Sequence, residues 1–217
     1  MPAPDEGLVH VGIGSVTLDG NLLVPSGASG IVLFAHGSGS SRFSSRNRYV
    51  ASTLREGNLG TLLIDLLTPR EEARDNLTAE LRFDIGMLAD RLAGTVEWLR
   101  SQTELSGKRI GLFGTSTGGG AALVAAAARP KLIQAIVSRG GRPDLAGDAL
   151  PHVEAPTLLI VGGDDTPVIA MNRRAYNQMH CERRMEIVPG ATHLFEEPGT
   201  LETVAALARG WFTRHLQ

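Results

Sequence analysis

The chain has 217 residues, 42% of them hydrophobic and 20% charged, a globular composition that supports one substantial core and is short for two. A net charge of −2 and a sequence isoelectric point of about 6.3 exclude a protein drawn by charge to nucleic acid or to anionic membranes. The one cysteine, Cys181, excludes an intramolecular disulfide; with no signal-like segment in residues 1–12 and no apolar run near the roughly 20 residues of a membrane span, a cytoplasmic protein is expected.

Residues 9–13 and 15–24 read as two early strands, with Asp19-Gly20-Asn21 as a turn within or between them. The continuous apolar run 31–35 is a strand buried on both faces, a pattern repeated at 61–66. Between them 48–57 reads as a helix stopped by a glycine, and the polar stretch 68–80 as a mobile surface segment or partial lid. Phe83, Met87, Leu88, Leu92, Val96 and Leu99 then fall at helical spacing and predict one long amphipathic helix ending before Gly107. Strands follow at 109–113, 132–137, 157–161 and 184–188, separated by helices at 119–129 and 168–179 and closed by a helix at 201–216. Regular strand–helix alternation from residue 31 onward predicts βαβ units, hence a single α/β domain over residues 1–217 with a mostly parallel sheet covered on both sides.

Gly114-Thr115-Ser116-Thr117-Gly118 fits G-x-S-x-G, and it sits between the strand 109–113 and the Ala-rich helix. A nucleophilic serine needs such a sharp strand-to-helix turn, which lifts its hydroxyl above the sheet. Glycines two before and two after remove the Cβ atoms that would collide there. The helix N-terminus favours negative charge at the reacting carbonyl, and the N–H of Thr117 is placed as an oxyanion donor. A phosphate cradle of the lysine-containing type is excluded, because the turn has no lysine.

A serine of this kind needs a histidine base and a carboxylate to orient it, in the chain order Ser, Asp or Glu, His. Of six histidines, His193 follows the last strand and precedes the last helix, so its loop is expected beside the elbow. The acid follows the strand 157–161, where Asp164 and Asp165 compete; the spacing G-x-x-D-x-x-V from Gly162 to Val168 selects Asp165, leaving Asp164 as a turn or capping residue. His36-Gly37-Ser38-Gly39 after the strand 31–35 supplies the second oxyanion donor, the N–H of Ser38. His36 there is read as holding the turn. No spacing suggests a metal site, and no cofactor is expected.

These motifs, with Phe34-Ala-His-Gly-Ser-Gly-Ser-Ser-Arg42, Leu63-Ile-Asp-Leu-Leu-Thr-Pro69, Ser138-Arg-Gly-Gly-Arg-Pro-Asp-Leu145 and Gly190-Ala-Thr-His-Leu-Phe-Glu-Glu-Pro-Gly199, resemble the dienelactone hydrolase-like branch of the α/β-hydrolases. The resemblance implies an α/β-hydrolase fold of about eight strands flanked by helices, with little or no cap, and a triad at Ser116, Asp165 and His193. Dienelactone hydrolases themselves carry a cysteine nucleophile where this chain has Ser116, so the expected activity is carboxylesterase on small-molecule, short-chain esters. Thioester hydrolysis, acyl transfer, and a non-catalytic binding role on the same fold remain open, as does the choice between monomer and homodimer. Gly37, Arg42 and Arg139 are the candidate substrate-binding residues: the arginines lie near strand C-terminal ends, where α/β sheets bind ligands, either to hold an acidic substrate or to brace loops against Asp65, Glu71 or Glu72.

Overall fold

The computed structural model describes residues 6–217; residues 1–5, part of the 1–12 segment and of the 1–217 domain, lie outside it. Eight strands form one sheet in the order β1-β2-β4-β3-β5-β6-β7-β8. β1 (Gly7–Ile13) and β2 (Val16–Leu23) form an antiparallel hairpin; β2 also pairs antiparallel with β4 (Gly60–Ile64), so β2 runs against the other strands. From there β3 (Gly30–Ala35), β5 (Arg109–Thr115), β6 (Ala135–Arg139), β7 (Thr157–Gly162) and β8 (Arg183–Val188) run parallel to β4. The α/β-hydrolase expectation of about eight strands holds.

Strand periodicity sends alternate side chains to two separate cores. Ile31, Leu33 and Ala35 of β3 face one cluster, covered by α3 (Ile85–Ser101) and α4 (Thr117–Ala128). Val32 and Phe34 face the other, covered by α1 (Ser45–Glu56) and α6 (Thr200–Leu216). The Ala- and Gly-rich α4 is buried around almost its whole circumference, which its small residues permit. On the second face Phe212 of α6 rests on Gly111, where a Cβ would lie 2.7 Å from the ring.

Three elements differ from the sequence reading. Asp19-Gly20-Asn21 is no turn: β2 runs straight through it, and the reversal occurs at Gly14 (φ 57°). Gly20 serves close packing instead, since a Cβ there would lie 2.8 Å from Leu62 Cδ1. The stretch 143–152 forms an unforeseen 3-10 segment, Pro143–His152. And the polar stretch after β4 is an ordered helix, α2 (Pro69–Thr78).

α2 starts on a capping box: Glu71 N–H donates to Thr68 Oγ1 and Thr68 N–H to Glu71 Oε2 (2.8 Å), with Pro69 at the first helical position. Arg91 of α3, 6% exposed, donates to both Glu71 oxygens at 2.8 and 2.6 Å. At the far end Arg82 pairs with the buried Asp75 at 2.6 Å. The remaining helix, α5 (Thr166–Gln178), packs beside the 143–152 segment.

The Arg91 hydrogen bond holds the Glu71 carboxyl down at about 2, from an ordinary 4.5. A carboxylate depressed in the folded state stabilises fully above pH 4.5, and that contribution fades as pH falls from 4.5 through 2. Glu71→Gln is therefore expected to cost about 2 kcal/mol at neutral pH, since it strands Arg91. Urea unfolding at pH 6 and pH 3 checks this: the deficit should be clearly smaller at the lower pH, and equal deficits would contradict it.

Candidate active site

β5 delivers Ser116 to the C-terminal edge of the sheet in a conformation that side chains rarely adopt, φ 49°, ψ −122°. The surroundings hold it there. Its carbonyl accepts from Gly119 N–H and Arg142 N–H, both at 3.0 Å. Three glycines make the space: a Cβ on Gly114 would lie 2.6 Å from Gly118 O, one on Gly118 2.3 Å from Ala35 O, and one on Gly37 2.9 Å from Ser116 Cβ. α4 begins immediately after Ser116, so its positive end underlies the hydroxyl.

The loop after β3 is locked onto this turn. Ser38 Oγ and Thr117 Oγ1 share a hydrogen bond of 3.1 Å. Among the described residues neither Ser38 N–H nor Thr117 N–H donates to a backbone carbonyl, so both expected oxyanion donors remain available. His36 accepts from Leu66 N–H at Nε2 (3.1 Å), while Nδ1 faces Gly37 O at 3.0 Å. That arrangement places the proton on Nδ1, and burial lowers the ring's pKa. His36 is a neutral clamp between the ends of β3 and β4.

β7 ends in Gly162, against which the His193 loop packs so closely that a Cβ would lie 2.4 Å from Ala191 O. Asp165 follows at the start of α5, and its Oδ2 lies 2.7 Å from His193 Nδ1. Asp165 is mostly buried; its neighbour Asp164 is exposed and uses only its N–H, on Ala191 O. Glu197 steadies the loop by accepting from Thr192 N–H and Thr192 Oγ1. Ser116 and His193 flank the turn after β6: Arg142 N–H reaches Ser116 O, and a Cβ on Gly140 would lie 3.6 Å from His193 Cε1. Among the described residues the Ser116 hydroxyl makes no hydrogen bond, so its link to His193 is open in this state, as is common before substrate binds.

Asn172 is a positioning residue that sequence reasoning missed. Fully buried on α5, it donates to Gly141 O at 3.0 Å and so fixes the turn between serine and histidine. A polar residue inside a helical stretch is its only sequence signal, and that signal is weak.

The candidate arginines separate. Arg42 is taken up inside the protein: its N–H and guanidinium both reach Asp65, and Nε reaches Asn21 Oδ1 at 2.9 Å. Arg48 pairs with Glu6, and Arg46 with Glu196. Arg139 has no carboxylate partner among the described residues and lies 7% exposed at the end of β6. A pocket opens beside the loop after β3, lined by Ser38, Thr117, Leu66, Leu88, Glu72 and Arg82. Phe195 is buried in the α1/α6 core, whereas Phe43 is 58% exposed. Cys181, half-buried between the N-terminal ends of β7 and β8, sits at the opposite edge of the sheet from Ser116. Among the described residues no group of three potential ligands could hold a metal ion, and no helix is long and apolar enough to cross a membrane.

Comparison with known proteins identifies the family and the fold. The model of the dienelactone hydrolase family matches residues 65–215. A Mycobacterium tuberculosis protein named "Putative phosphoribosyl transferase" is 55% identical over 216 residues, covering 99% of this chain and 47% of its own length. The chain thus spans about half the length of the curated relatives it matches. A solved dienelactone hydrolase from Anabaena variabilis is 61% identical, covers 99% of both chains and superposes with a TM-score of 0.97. Est1E from Butyrivibrio proteoclasticus shares the fold (TM-score 0.79, 16% identity, 96% of this chain and 98% of that one).

Because the Cβ of an alanine at 118 would meet backbone on another strand, Gly118→Ala has nowhere to relax. It is expected to lower Tm by roughly 8 °C, on the order of 3 kcal/mol. Gly210→Ala on α6, with nothing within 4 Å, should instead raise Tm slightly through helix propensity. Thermal melts followed by circular dichroism compare the two, and a tolerated Gly118→Ala would refute the packing argument.

Proposed function

The chain belongs to the dienelactone hydrolase family, and from that premise we propose that it is a serine carboxylesterase working through an acyl-enzyme. The observation that carries this reading is a strained Ser116 at the start of α4 on the same sheet edge as an Asp165–His193 pair 2.7 Å apart. His193 takes the Ser116 proton as the hydroxyl attacks the ester carbonyl, and Asp165 keeps the imidazole tautomer that presents Nε2 to the serine. The N–H groups of Thr117 and Ser38 receive the oxyanion. His193 then returns the proton to the departing alcohol, and water resolves the acyl-enzyme by the same steps in reverse.

The serine in place of a thiol favours short-chain acyclic esters over the dienelactones, cyclic esters after which the family is named. Cys181 offers no alternative nucleophile: burial raises its thiol pKa, and it lies at the far edge of the sheet. Thioester hydrolysis and acyl transfer would use the same atoms, so a panel of oxygen esters, thioesters and competing alcohols ranks the three.

Hydrolysis of p-nitrophenyl acetate is expected for the wild type and should fall at least ~10³-fold in Ser116→Ala. Asp165→Asn should cost roughly 10²- to 10⁴-fold by favouring the wrong tautomer, while Asp164→Asn stays within about twofold. A fluorophosphonate probe should add its mass to Ser116 alone. Unchanged turnover in Ser116→Ala, or labelling elsewhere, would sink the assignment.

A further inference from the structure

The pocket under α2 is walled by segments that are far apart in the chain and meet beside Ser116. Gly37 and Ser38 of the loop after β3, with Thr117 at the start of α4, form its inner end. That end reaches the nucleophile: Thr117 follows Ser116 in the chain, and a Cβ on Gly37 would lie 2.9 Å from Ser116 Cβ. Leu66 after β4 and Leu88 of α3, only 1% and 4% exposed, make an apolar floor. Asn76 on the exposed side of α2, and Arg82 just beyond that helix, form the rim.

These walls are fixed before any ligand arrives. Leu66 is held at both backbone polar atoms: its N–H donates to His36 Nε2, and its carbonyl accepts from Arg91 Nη1. Arg91 also holds Glu71 at the head of α2, so one guanidinium ties the floor to the helix above it. At the other end of α2, Asp75 accepts from Leu81 N–H, Arg82 N–H and Arg82 Nε. Arg82 is therefore spent on the wall, and Asp65, also in the lining, is spent on Arg42. An apolar floor inside a braced frame of about 470 Å³ suits a small ligand group, and rigid walls lose little entropy when it enters.

Four groups surround the carbon of a tetrahedral intermediate: Ser116 Oγ, the oxyanion, the leaving oxygen and the acyl chain. On the esterase reading, three of these directions are assigned. The oxyanion points to the N–H groups of Ser38 and Thr117, and the leaving oxygen must face His193 to receive its proton. Among the described residues the pocket has no lining residue beyond Thr117, so the His193 loop takes no part in it. The fourth direction, past Ser38 and Thr117 and away from His193, is the one that opens under α2. The histidine side is open instead: the His193 side chain is 41% exposed, and Leu194 is also 41% exposed. We infer that the pocket under α2 is the acyl seat, where the chain of the ester's acid lies on Leu66 and Leu88 while its alcohol faces solvent. The inference rests on the esterase reading, and it makes α2 the element that limits acyl length and leaves the alcohol loosely specified.

Two measurements test this on the full chain. In the first, kcat/KM is compared along two ester series, one varying the acid (4-nitrophenyl acetate, butyrate and hexanoate) and one varying the alcohol (phenyl and 1-naphthyl acetate). Leu88→Phe fills the floor; Asn76→Trp narrows the rim from the exposed side of α2 and carries the test should Leu88→Phe fail to fold. Each should lower the hexanoate-to-acetate ratio at least about tenfold, the scale of losing a methylene's room in an apolar pocket. The naphthyl-to-phenyl ratio should move less than about twofold. Movement of the alcohol ratio instead would seat the alcohol under α2, and movement of neither ratio would leave the pocket without a role; both results overturn the inference. In the second, Ser116→Ala protein, which needs no turnover, is melted with about 20 mM hexanamide against the same concentration of acetamide. Hexanamide should raise Tm by about 2 °C, and the rise should vanish when Leu88→Phe or Asn76→Trp is added. No rise, or a rise that survives both substitutions, would overturn the acyl seat. Absence of turnover on every ester would count against the hydrolytic reading, while the melts would still decide whether the pocket takes an acyl chain.

Discussion

The turn at Ser116 is the constraint from which the rest of the site follows. A residue with a side chain stands there in a backbone conformation costing on the order of 1–3 kcal/mol, and it persists because its surroundings allow no other. Gly114 lets β5 and α4, and Gly118 lets α4 and the end of β3, approach to distances a Cβ would forbid, and Gly37 lets the neighbouring loop pass against Ser116 itself. The Ser116 carbonyl is bonded twice, once by its own helix and once by the turn after β6. Because that second bond comes from Arg142, the elbow is tied to the segment that also abuts His193. Strain in one residue is thus spread over β3, β5, β6 and α4.

The polar groups along the same sheet edge fall into two kinds. On the α2 side the ion pairs are complete: Arg42 with Asp65, Arg82 with Asp75, Arg91 with Glu71. These pairs brace loops and leave a pocket whose shape is set by α2. On the His193 side Glu197 and Asp165 fix the loop, but Arg139 and the inner edge of Arg46 lack acceptors. That edge is therefore braced by complete ion pairs on the α2 side and leaves guanidinium nitrogens without acceptors on the His193 side.

Much of this was legible in the primary structure, and the parts that were not share a cause. The G-x-S-x-G turn and the apolar runs of β3, β5 and β7 are local signals, since each depends on residues close together in the chain. Gly20 misled because a glycine flanked by Asp19 and Asn21 has the composition of a turn, while its actual reason is Leu62 on another strand. The helix α2 went unread although Thr68-Pro-Arg-Glu71 is a capping box with proline at the first position; its polar surface hid the signal. Asn172 left only the weak signal of a polar residue in a helical stretch, because its partner, Gly141 O, lies 31 residues away.

The candidates Ser116, Asp165 and His193 are singled out by the chain itself, through motif, spacing and order along a βαβ pattern. That determination works because parallel strands carry each loop to the same edge in a regular sequence. What each charged side chain does there was decided only by the tertiary structure. Arg42 and Arg139 are indistinguishable as letters near strand ends, yet one meets Asp65 and the other meets a phenyl ring and a second arginine. Electrostatic roles depend on what lies within a few ångströms, and that is a property of the packed molecule.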